Sequence, residues 1–222
     1  MHKKGRFVLG FDETNNGFNL DSPDYKPHAN SILVITGYLV PDIGRANYGC
    51  CKYEHKKKIF NSRRDLDRAL FRGKYYIGSH PDFFYTTIPR QSPFPMTLMR
   101  ANAVALLTFQ FAKAYNLDPN KTTLVLDEMN GKENSKFINH ALQFWLEQAR
   151  FTAEHYSKEK ADEKTIAVKI ADRIGYYVSA IKFLGTNQKW PFRSRKVSIN
   201  NLEQLAIDLA ERPKTREYTI VT

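Results

Sequence analysis

The chain has 222 residues, with 34 Lys and Arg against 23 Asp and Glu, and a formal charge of +11. Its 42% hydrophobic and 13% aromatic content supplies one sizeable core, and 11 Gly and 10 Pro exclude disordered and collagen-like chains. The length fits a single domain over 1–222, and the positive excess biases its partners toward polyanions, nucleic acid ahead of an acidic membrane surface.

Met1-His2-Lys3-Lys4 is basic, but the apolar stretch after it, Phe7 to Phe11, is too short for a secretory leader. Arg6–Glu13 (RFVLGFDE) is apolar at both parities until its carboxylates, as in a buried central strand. Asn15-Asn16-Gly17 turns the chain. Ser31–Val40 reads as a second strand, closed by Pro41-Asp42. Cys50 and Cys51 are adjacent; they cannot build a disulfide framework and make a poor zinc site.

Residues 44–80 read as a basic helical insertion. Within it, 52–74 carry nine basic residues and three acidic, among them Lys56, Lys57, Lys58, Arg63, Arg64 and Arg68. Ile59, Leu66 and Leu70 hold the inward helical positions. Phe83–Ile88 is a short third strand, followed by the breaker run Pro89 to Pro95. Met96–Tyr115 is a long helix with Met99, Ala103, Leu106, Leu107, Phe111 and Ala114 along one side.

After the turn Asp118-Pro119-Asn120, Thr122–Asp127 (TTLVLD) is another buried strand, ending at the acidic pair Asp127-Glu128. Glu133–Arg150 is a helix, and Phe151–Tyr156 reads either as a fifth strand or as more of that helix. Ile166–Leu184 is a helix. Residues 185–222 form a C-terminal extension with a helix over Asn200–Glu211 and a closing strand over Glu217–Val221. No run approaches 18 apolar residues, so no membrane partner is expected and a cytoplasmic protein is. There are no internal repeats or low-complexity tracts.

The charge is concentrated. Residues 52–74 contribute +6, and 182–196, with Lys182, Lys189, Arg193, Arg195, Lys196 and no acid, contribute +5; the remainder is neutral. Both segments carry aromatics, including Tyr53, Phe60 and Phe71 in the first and Trp190 and Phe192 in the second. Cations for phosphates beside rings for base stacking compose a nucleic-acid surface, and Lys189, Arg193, Arg195 and Lys196 are expected to join the first segment's basic residues there. The plain alternative is a solvated basic helix.

Three acids are distinguished by position. Asp12 and Asp127 end buried strands, where a carboxylate is costly unless it is paired or holds a cation. If those strands are parallel neighbours, both emerge at one carboxyl edge, where α/β proteins place their sites. Asp172 lies beside the apolar stripe of its helix, stacked with Gly175 and Ser179. Converging carboxylates repel, and divalent cations relieve the repulsion; beside a basic surface this suggests two-metal phosphodiester hydrolysis with Mg2+ or Mn2+. Otherwise Asp12 and Asp127 only cap turns, and Asp172 pairs with Lys169.

The order of acid-ending strand, strand, strand, helix, acid-ending strand, helix and acid-bearing helix resembles the ribonuclease H-like superfamily. Phe11-Asp12-Glu13-Thr14 with Gly17 is similar to the Asp-Glu-small opening of the type 2 ribonucleases H. It also resembles the Asp-Glu-Ser-Gly opening of an uncharacterised prokaryotic family with this fold, whose late Ala-Asp-aliphatic helix motif Ala171-Asp172-Arg173-Ile174 resembles. The resemblance spans about residues 6–184. It implies an α/β fold, a mixed sheet flanked by helices, with Asp12, Asp127 and Asp172 as metal ligands. Glu13 or Glu128 would then be a fourth carboxylate or a group supporting the others. Two departures stand out: Met96–Tyr115 has no acid where the first type of ribonuclease H supplies a Glu, and Thr14-Asn15-Asn16 replaces the type 2 Gly and Arg.

The expected function is therefore a metal-dependent nuclease acting on RNA, DNA or a hybrid, and the alternative is a non-catalytic nucleic-acid-binding protein with a vestigial site. A glycosidase is disfavoured, since a protein of charge +11 has little reason to seek a neutral sugar. No phosphate-binding glycine loop is present.

Overall fold

Phe7–Asn15 (β1) carries two apolar sets, Phe7, Leu9 and Phe11 at one parity and Val8 at the other, each joined to a different hydrophobic cluster. Such a strand needs a cover on both faces. The computed structural model describes residues 6–15, 32–41, 83–89, 93–127, 132–158, 161, 165–183 and 194–212. Within them β1 joins Ile32–Pro41 (β2), Phe83–Pro89 (β3), Thr122–Asp127 (β4), Glu154–Lys158 (β5) and Ser194–Lys196 (β6) in one sheet, ordered β5-β4-β1-β2-β3-β6. β2 is antiparallel to β1 and β3, while β4 runs parallel to β1, β5 to β4 and β6 to β3.

Met96–Tyr115 (α1), Lys132–Gln148 (α2) and Leu202–Ala210 (α4) cover the face to which Leu9, Phe11, Leu124 and Leu126 point. Ile166–Phe183 (α3) covers the other, over Val8, Val34, Tyr38 and Val125. α1 lies between the sheet and the two outer helices, so it is buried almost all round from Arg100 to Ala112. It ends at Asn116, whose backbone enters the left-handed region (φ 49°), a conformation Asn tolerates.

The fold class matches the expectation: α/β, a mixed sheet flanked by helices. Its details differ in three places. β1 continues to Asn15 instead of stopping at Glu13, because its pairing with β2 runs on to Asn15↔Leu33. Of the two readings open for Phe151–Tyr156, a strand or more of the helix, the structure has a strand, at Glu154–Lys158; Phe151 and Ala153 are buried in the core before it begins. β6 was not anticipated, since three residues leave no periodicity to read and only the edge of β3 defines them.

Part of the C-terminal extension is built into the domain. Val197, Leu202, Leu205, Ala206 and Leu209 enter the same cluster as α1. The basic insertion 44–80 and the closing strand Glu217–Val221 lie outside the described residues. Among the described residues no helix is long and apolar enough to cross a membrane.

Candidate functional site

The parallel ladder of β1 and β4 runs from Phe7↔Thr122 to Phe11↔Leu126, so Asp12 and Asp127 stand side by side, each one residue past the last pair. Phe11 and Leu126 point toward α1. The two-residue period of a strand therefore turns both acids toward α3. β1 keeps pairing with β2 beyond this point while β4 ends. The two carboxylates occupy the resulting step in the sheet, at its carboxyl edge.

Glycine brings the third acid to them. A Cβ on Gly10 would lie 2.3 Å from the backbone N of Val168 and 2.4 Å from the carbonyl carbon of Ala167, so α3 rests directly on β1 there. Further along, Thr36 Oγ1 donates to the carbonyl of Ala171 at 2.8 Å. A Cβ on Gly175 would meet Thr14 Oγ1 at 2.5 Å. Residues 167 to 175 of α3 thus track β1 from Gly10 to Thr14, and Asp172 falls in the interval that Asp12 occupies on the strand.

The electrostatics follow from this packing. Asp12 is only 7% exposed, and its carboxyl is raised well above the usual carboxylate range. Burial is the largest cause, followed by the charges of Asp172 and then Asp127; a backbone hydrogen bond involving Glu13 partly opposes them. Asp127 Oδ1 accepts the backbone N–H of Ala161 at 2.9 Å, which fixes that carboxylate from the far side. The buried Thr14 hydroxyl, on the same side of β1, has no hydrogen-bond partner among the described residues.

Oxygen-only donors, two of which raise the proton affinity of the third, suit a hard divalent cation, which would take the place of the proton on Asp12. Among the described residues, however, no three His, Cys, Asp or Glu side chains are drawn close enough to cage an ion. The donor chemistry fits Mg2+ or Mn2+; a closed cage is not preformed.

Glu13 points the other way. Arg100 of α1 donates from Nη2 to Glu13 Oε1 at 2.9 Å, and its Nε lies 2.6 Å from Oε2. The helix that lacks an acid instead supplies a cation to the acid beside Asp12. Arg195 and Lys196 are exposed on β6. One row of the sheet runs Asp12↔Thr36↔Tyr85↔Lys196, which puts Lys196 three strands, or roughly 14 Å, from Asp12. Glu128, Lys56, Lys57, Lys58, Arg63, Arg64, Arg68, Lys189 and Arg193 lie outside the described residues.

Sequence reasoning overlooked Gly10, Thr36, Arg100 and Ala161. Two of these left a signal: a glycine inside an apolar strand marks a close backbone approach, and Arg100 is a lone charge in the apolar first half of α1. Ala161 left none, because its role belongs to its backbone.

No protein-family model matches the chain, and no curated protein matches it. Among solved structures it is similar to a chain in the PCNA:RNase HII complex from Archaeoglobus fulgidus, at 13% identity and a TM-score of 0.43, covering 82% of this chain and 80% of that one. It is also similar to NurA, crystallised with manganese, at 10% identity and a TM-score of 0.23, covering 94% of this chain and 49% of that one. At these scores neither likeness assigns an activity to this chain.

Proposed function

We propose that this chain hydrolyses phosphodiester bonds in RNA, DNA or their hybrid, using a divalent cation held by Asp12, Asp127 and Asp172. One observation carries the reading: three carboxylates from three separate elements approach one another closely enough that Asp172 and Asp127 raise the pKa of buried Asp12. A structural role gives no reason to bury a carboxylate against two others, since each adds to the cost of ionising it.

Mg2+ or Mn2+ held by Asp12, Asp127 and Asp172 would supply Lewis acidity for activating water and stabilising the leaving oxygen. The chain's own residues do the rest. Asp12 holds the charge at the centre, Asp127 is oriented by the Ala161 N–H, and Asp172 is carried in by α3. Thr36 locks α3 to β2 through Ala171, keeping Asp172 in place over β1. The basic segments 52–74 and 182–196 would bind the backbone phosphates of the substrate.

The test is to incubate labelled single-stranded, duplex and hybrid oligonucleotides with Mg2+ or Mn2+, comparing the native chain with Asp127→Asn. Metal-dependent cleavage that the variant loses is the expected result. Salt-sensitive binding with no cleavage of any substrate would instead establish the non-catalytic binding protein. That second reading draws on the absence of a closed cage among the described residues and on the lack of any acid in α1.

A further inference from the structure

β5 sets a cation beside the acid centre. Its register with β4 runs Thr123↔Glu154, Val125↔Tyr156 and Asp127↔Lys158. Tyr156 packs into the cluster under α3, whereas His155 and Ser157 meet Asn139 of α2 on the opposite face. By the two-residue period Lys158 therefore shares a face with Asp127, on a strand about 4.8 Å away. It is half-buried, and the chain is pinned at this point twice: by the ladder, and three residues later by the Ala161 N–H donated to Asp127.

A lysine here works against the capture of a cation by the same carboxylates. That opposition is offset if the centre also receives an anion. A phosphodiester offers two non-bridging oxygens, one for the cation and one for a point-charge donor at its side, and an ammonium is such a donor. We propose that Lys158 is a substrate-contacting residue of this site, donating to a non-bridging oxygen of the phosphate at the acid centre. The assignment rests on the phosphodiester reading above.

The test measures binding, not turnover. In the full chain carrying Asp12→Asn, which lowers the acid charge and prevents cleavage, the affinity for short labelled single-stranded and duplex oligonucleotides is followed by anisotropy across a salt series at a fixed low concentration of Mg2+. Lys158→Ala and Lys158→Gln are expected to weaken binding roughly 3–10-fold at low salt and to reduce the slope of log K against log salt by about 0.7–0.9, the signature of one lost phosphate contact. Lys158→Arg should retain the slope. Lys121→Ala, at the opposite edge of the sheet where β4 begins, should leave it unchanged. If the parent binds and neither Lys158→Ala nor Lys158→Gln alters the slope, or if Lys121→Ala alters it equally, the assignment is wrong and the phosphodiester reading stands. If the parent binds no oligonucleotide, both fall together.

Discussion

Arg100 holds both carboxylate oxygens of Glu13, at 2.9 and 2.6 Å, on the face of the sheet turned away from Asp12. Two acids adjacent in sequence thus meet opposite fates: one is neutralised by a dedicated cation, the other is crowded by two further carboxylates. Neutralising Glu13 keeps a fourth negative charge from adding its full weight to Asp12. The side chains are 10% and 23% exposed, so the pair is mostly desolvated. Arg100→Met should destabilise the fold by about 3 kcal/mol or more, because it strands Glu13, while the double variant Glu13→Leu/Arg100→Met should recover most of that. Denaturant unfolding of the two single variants and the double variant checks this; additive losses would show that the pair is not coupled.

Asp12 gives a pH dependence with a definite sign. Unfolded, its carboxyl titrates near pH 4; folded, it titrates higher. Between those two values the folded chain holds a proton that the unfolded chain has released. Stability from this group is therefore complete below about pH 4, and is lost as pH rises through the folded pKa. Without metal, Asp12→Asn should raise the melting temperature at neutral pH, with a gain that shrinks toward zero in acid. Thermal melts in EDTA across the pH range decide it, and a native chain more stable than the variant at neutral pH would contradict it.

A cation should reverse that penalty. Mn2+ at a hundredfold excess over its Kd stabilises a one-site protein by about 2.7 kcal/mol. At roughly 2–4 °C per kcal/mol for a domain of this size, the shift is readily measured. Asp172→Asn and Asp127→Asn should each remove most of it. An undiminished shift in the Asp12→Asn/Asp127→Asn/Asp172→Asn triple variant would mean that the ion binds elsewhere.

The two glycine contacts should respond differently to alanine. At Gly10 the new Cβ meets helix backbone, which cannot step aside, so Gly10→Ala should cost about 3 kcal/mol or more and displace α3. At Gly175 the nearest atom is the Thr14 hydroxyl, which can rotate away. Gly175→Ala should cost roughly 1 kcal/mol and be relieved by Thr14→Ala. Chemical unfolding of the double variant measures that coupling.

Much of this arrangement was legible in sequence. Asp12 and Asp127 announced themselves because an apolar run ended in an acid, and burial explains why such a run needs a purpose at its end. Asp172 was marked by the small residues stacked with it, and in the fold one of them, Gly175, lets α3 come close against Thr14 of β1. What the sequence concealed were relations across it. The bond from Thr36 to Ala171 joins residues far apart in the chain, and nothing local to either predicts it. Glu13 and Arg100 likewise needed the alternation of β1 and the placement of α1 together before they became partners. β6 is too short for any pattern, and exists only because β3 offers it an edge.

The backbone contact at Gly10 has a broader consequence. At Gly10, α3 is seated on β1 by main chain against main chain, with no side chain of the strand acting as a spacer. The separation of Asp172 from Asp12 thereby depends on this backbone contact, on the Gly175–Thr14 contact and on the Thr36–Ala171 hydrogen bond. Exchanges among Val8, Val34, Ile170 and Ile174, which share the cluster under α3, should therefore alter how the surrounding core fills more than where the helix sits. The acid centre is in this sense gauged independently of the core that surrounds it, so its dimensions can persist while the hydrophobic residues around it change.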